Sequence, residues 1–176
     1  MSQQVLTAEL SEIITTHCGK IKCIRINKDL EYLISEYPNI RVYFDYELNI
    51  PIVLVKDREN EIKLKIKEYY PFKPVEIEVN SEPYIKLLVF NSNKKRKILK
   101  DVIGIDCLCC QSLMCENNWY AQLKLKDIVD EICKNIEIIN NINNIVNNNV
   151  NNIIDDDKNI NTINTINITG YKRKIY

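Results

Sequence analysis

Apolar residues recur at helical spacing near the start of the chain, switch to alternate positions in its middle, then return to helical spacing. Over residues 5–16, VLTAELSEIITT, the side chains of Val5, Leu6, Leu10, Ile13 and Ile14 fall near one face with acids opposite. That spacing predicts an amphipathic helix. A second helical piece, KDLEYLISEY, stops at Pro38, where the ring forbids continuation. In RVYFDYEL the apolar Val42, Phe44, Tyr46 and Leu48 alternate with Arg41, Tyr43, Asp45 and Glu47, the period of a half-buried strand. PIVLVKD (51–57) is a continuous apolar strand closed by the polar turn DREN, EIKLKIKE alternates again, and VEIEV (75–79) makes a fourth strand.

Four short strands with tight polar links and no crossover helix predict an antiparallel meander. From Leu125 the set Leu125, Ile128, Val129, Ile132, Cys133 and Ile136 follows helical spacing with acids and lysines outward, so this helix is expected to cover one face of the sheet. The predicted class is α+β: N-terminal helix, four-stranded meander, cysteine-bearing loop, C-terminal helix. Residues 1–139 form the expected domain, with an insertion around 81–103 read as an added helix marked by Ile85, Leu87, Leu88, Ile98 and Leu99. Residues 140–176 are dominated by asparagine and isoleucine and end in a small basic patch, GYKRKIY. Asparagine supports neither helix nor strand interiors, and the expectation is a low-complexity, disordered tail.

Charge and composition narrow the classes. Lysine plus arginine equals aspartate plus glutamate, 24 each, so no global field draws the chain to nucleic acid or anionic lipid. The run Lys94, Lys95, Arg96, Lys97 reads as a solvated loop, and Lys63, Lys65 and Lys67 with Glu76 and Glu78 as the wet face of the sheet. Three glycines in the whole chain argue against a Walker loop or a dinucleotide fingerprint, which need several close together. No apolar run approaches a membrane span. Seven cysteines without a signal-like N-terminus predict free thiols in a reducing, intracellular setting, cytoplasmic or nuclear. With one histidine, His17, read as a surface residue, no Ser-His-Asp arrangement can be assembled.

Two stretches carry more than periodicity. In EYYPFKPVEIEV, Pro71 and Pro74 fix φ and remove donors, giving a rigid turn that Tyr70 and Phe72 can pin to the core. In NNWYAQLKLKDIVDEI, Trp119 is large enough to seal the joint between an irregular loop and a helix. Together these segments resemble the ubiquitin-conjugating (E2) family, its inactive variants and the related RWD domains. The family's YPFKPP turn is matched by Tyr70 to Pro74, with Val75 replacing the second proline. Its WSPALTI segment is matched at Trp119, Leu123, Leu125, Ile128, Val129 and Ile132, while Tyr120, Ala121 and Gln122 depart from it. The resemblance implies a UBC-like fold; separately, the proline corner and the indole-led helix are expected to clamp opposite ends of one curved sheet. It also implies ubiquitin or a ubiquitin-like modifier, an activating enzyme and a ligase as partners.

Four cysteines, 107, 109, 110 and 115, crowd the stretch before Trp119. The family nucleophile sits in a GxxCL context, which Gly104-Ile105-Asp106-Cys107-Leu108 fits; counting back from the tryptophan instead lands next to Cys110. The resemblance therefore implies thioester transfer of a modifier to lysine on Cys107, with Cys110 second. Asp106 is expected to oppose ionisation of Cys107 or to orient an incoming lysine, and the basic run to favour the thiolate if it folds over the loop. The family's His-Pro-Asn motif is absent; Asn91 or Asn93 is expected to substitute for its asparagine, though no spacing locates either. Three other readings stand beside transfer. One is a non-catalytic protein-binding module. In another the cysteines are small hydrophobes packing against Trp119. The last is a zinc-stabilised domain using Cys107, Cys109, Cys110 and Cys115, or a distant Cys133, although adjacent cysteines rarely ligate one ion together.

Overall fold

Helix α1 (Ala8–Cys18) and helix α2 (Lys20–Glu36) precede the sheet in this computed structural model, which describes residues 8–151 apart from Gly19 and side chains over 11–16 and 24–148. The α2 helix begins earlier than the KDLEYLISEY pattern suggests because Ile26, Leu30 and Leu33, spaced four and three residues apart, all turn inward and are fully buried. It stops where the Tyr37 N–H bonds the Leu33 carbonyl at 3.0 Å, one residue before Pro38.

Strands β1 (Ile40–Asp45), β2 (Ile50–Asp57), β3 (Asn60–Lys65), β4 (Glu76–Val79) and β5 (Glu82–Pro83) form one antiparallel sheet in sequence order. The alternation over 41–48 overstates β1. Asp45 Oδ1 accepts the N–H groups of Glu47 and Leu48 at 3.0 and 2.9 Å, a side-chain turn that ends the strand. Tyr46 and Leu48, expected on the inward face, are instead exposed. The fifth strand follows a two-residue hairpin in which Asn80 and Ser81 take φ of 52° and 67°, the left-handed pair that matches strand twist.

On β3, Ile62 and Leu64 are fully buried, as is Ile66 just past its end. The lysines between them face a glutamate row rather than bare solvent: Lys63 registers with Glu78 and Lys65 with Glu76. Lys65 Nζ bonds Glu78 at 2.5 Å and Glu76 at 3.3 Å, while Lys67 also pairs with Glu76. Each such cross-strand pair adds a few tenths of a kcal/mol.

The expected single inserted helix is two, α3 (Tyr84–Leu88) and α4 (Asn93–Ile103). The basic run lies on the first turn and a half of α4, not in a loop. One further turn, α5 (Leu108–Gln111), precedes α6 (Leu125–Asn151). Helix α6 packs against α2, α3 and α4. Its Ile128, Val129 and Ile132 share one buried cluster with Val53, Ile62, Leu64 and Ile77 of the sheet. It also passes the expected boundary at residue 139 without a break, since Ile138 and Ile142 are buried one turn apart. The remainder of the expected tail, 152–176, lies outside the described residues. Among the described residues no helix is long and apolar enough to cross a membrane.

Candidate functional site

Gly104 terminates α4 at φ 77°, its N–H returning to the Lys100 carbonyl at 2.9 Å. That left-handed position is glycine's natural place at a helix C-terminus, and it turns the chain into Ile105, Asp106 and Cys107. Cys107 has extended backbone (φ −155°, ψ 130°) immediately before α5. The single turn of α5 then carries Cys109 and Cys110 back beside it. All three sulfurs lie within 4.8 Å of one another, with Cys109 Sγ and Cys110 Sγ 3.9 Å apart. No disulfide joins them.

Their chemistry is uneven. Burial works against ionisation of Cys107, but the Cys109 thiol, the Cys110 N–H, the Cys110 thiol and the Cys109 N–H together outweigh it, and its pKa falls. Cys109 is pushed up to about 12, first by its bond with Cys107 and then by burial. Cys110, exposed, is also raised, chiefly by Cys107. One thiolate is thus favoured at the expense of its neighbours. Asp106 pairs with Lys100 Nζ at 2.9 Å, both groups largely exposed.

Cys115 and Cys133, the other sulfurs considered for a metal, do not join the group. Cys133 sits on α6, where burial and then the Asp57 charge push it up to about 12. The side chain of His17 lies outside the described ones.

The loop bearing the thiols is tied down from two sides. Asn118 Nδ2 donates to the carbonyls of Cys110 and Ser112, each at 2.9 Å. From α6, Glu131 accepts the Ser112 hydroxyl at 2.5 Å and the Leu113 N–H at 2.6 Å. Burial raises the Glu131 pKa despite those two donors. Asn135, buried one turn on, donates to the Tyr84 hydroxyl at 2.7 Å and so links α6 to α3. Sequence reasoning missed Asn118 and Glu131; neither has a spacing that marks it, and only Asn118's place beside Trp119 could have drawn the eye.

Cys107 opens onto a groove of about 240 Å³. Leu88, Phe90 and Leu99 give it an apolar floor, and Arg96, Asp106 and Cys107 a polar rim. Arg96 Nε donates to the Phe90 carbonyl at 2.7 Å, which holds its guanidinium at the wall. One member of the basic run therefore does reach the thiol's groove. Asn91, exposed, and Asn93, the first residue of α4, do not line it.

Behind the site, the proline corner and the tryptophan meet. Trp119 Nε1 donates to the Pro71 carbonyl at 2.9 Å, and the Tyr70 and Trp119 rings stand edge to face at 6.3 Å. The two landmarks were expected at opposite ends of the sheet; they form one joint instead, because the indole N–H needs a partner and the Tyr70–Pro71 corner offers a carbonyl that no strand uses. Comparison with family models, with characterised proteins and with solved structures finds no match to this chain.

Proposed function

We propose that this chain is a divergent ubiquitin-conjugating-like protein that carries ubiquitin or a related modifier as a thioester on Cys107. The observation that supports it most is the hydrogen bond from Trp119 to Pro71. The two segments that resemble the family, 48 residues apart, form one structural joint, as parts of a common scaffold should, and the thiol-bearing loop runs directly into it. A UBC-like assignment of the α+β fold rests on the same joint together with the order of elements around it.

In this reading the Cys107 thiolate attacks the modifier's C-terminal carbonyl on the activating enzyme, forming a new carbon–sulfur bond and releasing that enzyme's thiol. A lysine amine then attacks the same carbonyl, an amide forms, and the Cys107 thiol leaves. Each attack passes through an oxyanion that wants a fixed donor. The absent His-Pro-Asn asparagine leaves that role open, and Arg96 at the groove wall is the donor this chain supplies. Asn118, bonded to the Cys110 and Ser112 carbonyls, takes over the steadying of the loop.

A second reading, a protein-binding module of the same scaffold without transfer activity, is favoured by one observation. Among the described residues, no asparagine or histidine lines the Cys107 groove. Incubation with an activating enzyme, ATP and ubiquitin separates the two. Transfer predicts an adduct cleaved by reductant, converted by Cys107→Ser to a reductant-resistant ester and unaffected by Cys110→Ser. No adduct with ubiquitin or any ubiquitin-like modifier leaves the binding module.

A further inference from the structure

We propose that Cys107, Cys109 and Cys110 form a three-thiolate site for a soft d10 cation, of which cuprous copper is the type. The inference does not rest on thioester transfer, since it concerns where three sulfurs point and not what one of them attacks.

Three features carry it. The first is convergence. A cation with metal–sulfur bonds of about 2.3 Å at the centre of a triangle needs sulfur–sulfur edges of about 4 Å. The Cys109–Cys110 edge is 3.9 Å, and none of the three edges exceeds 4.8 Å. Adjacent cysteines seldom share an ion because their side chains diverge in extended chain. Here the turn of α5 brings them to one side, and Cys107 closes the triangle from the residue before it.

The second feature is the donor set. Among the described residues, no fourth cysteine, histidine or carboxylate joins the group. Zinc in a structural site takes four ligands, whereas cuprous copper is softer, prefers thiolate and is satisfied by three. The nearest carboxylate in sequence, Asp106, is paired with Lys100 and adds no hard oxygen to the set. The third is access. Cys110 is exposed and Cys107 and Cys109 half-buried, so an ion can reach the triangle without the core opening, while the Asn118 and Glu131 bonds hold the loop in shape.

The test is anaerobic titration of the reduced full chain with cuprous copper held by a chromogenic chelator of known affinity. X-ray absorption on the copper-loaded wild type reads the first shell directly. We expect copper to be won from the chelator, with three sulfur neighbours at about 2.3 Å. Changing Cys107, Cys109 or Cys110 singly to Ser should weaken binding on the order of 100-fold, since each removes one ligand of three. Serine at Cys18, Cys23, Cys115 or Cys133 should change it by less than about threefold, a difference of under 1 kcal/mol. Failure to compete with the chelator would overturn the proposal. So would a two-sulfur shell, or a loss with Cys115→Ser as large as with Cys107→Ser, which would mean a four-sulfur site. Because the absorption measurement uses the unaltered chain, misfolding of a variant cannot rescue the idea, and no outcome depends on whether an adduct with a modifier forms.

Discussion

Among the described residues Asp29 is the one buried charged side chain, and its partners explain its position. It accepts from Arg25 Nε at 2.7 Å and from the Tyr70 hydroxyl. Arg25 in turn donates to the Leu123 and Gln122 carbonyls at 2.6 and 3.2 Å. One carboxylate thus ties α2 to the proline corner and to the chain entering α6. Burial opposes the Arg25 charge, yet Asp29 outweighs it and the Arg25 pKa rises. Removing one member of such a pair strands the other, at a cost of about 3–5 kcal/mol when fully buried; with Arg25 partly exposed, Asp29→Ala should cost about 3 kcal/mol. Urea unfolding reads this, and a loss below about 1 kcal/mol would show that the network is ornamental. At this scale the sequence was least legible. Cys107, Cys109 and Cys110 are visibly crowded, but whether adjacent sulfurs converge is decided by φ and ψ at the entry to α5. Asp29 gives no hint at all, since a charged residue in an amphipathic helix reads as outward by default.

Elements were legible where burial is periodic and misread where composition spoke louder than spacing. Strands β1, β3 and β4 follow their alternation and β2 its continuous apolar run, apart from the Asp45 turn that shortens β1. With two residues, β5 has no period to read; its signal is the Asn80-Ser81 turn alone. Helix α6 is the instructive case. An asparagine-rich stretch suggested disorder from residue 140, yet the isoleucines within it keep helical spacing, and Ile138 and Ile142 close over the core with 2% and 1% exposure. Asparagine is a poor helix former by about half a kcal/mol per residue, and burying one isoleucine offsets several such penalties. Ile142→Ala should therefore destabilise the chain by about 2–4 kcal/mol, as for a core position. Unchanged denaturation of that variant would mean that α6 beyond residue 139 adds nothing to the fold.

The whole molecule is organised so that sheet and helices share one buried cluster, with Trp119 packed at its margin. Neither layer has a core of its own: Val53, Ile62 and Leu64 are covered by the helical residues Leu30, Val129 and Ile132 in the same cluster. Separating the layers would expose both apolar faces at once, at about 25 cal/mol for each Å² uncovered, so partial unfolding has no cheap intermediate and a single transition is expected. Trp119 makes this measurable. It is the chain's only tryptophan, its indole bonds the corner between β3 and β4, and it stands on the segment that enters α6. Its fluorescence therefore reports the joint, while far-ultraviolet circular dichroism, dominated by α2, α4 and α6, reports the helices. The two signals should change with one midpoint and one slope in urea. If the tryptophan signal were lost first with ellipticity intact, the proline corner would be an attachment to a helical core and not part of it. The site would then lose its rigid backing, because the cysteine loop is held by Asn118 and Trp119 on one side and Glu131 on the other. A loop clamped between the joint and α6 keeps its geometry only while those two parts melt together.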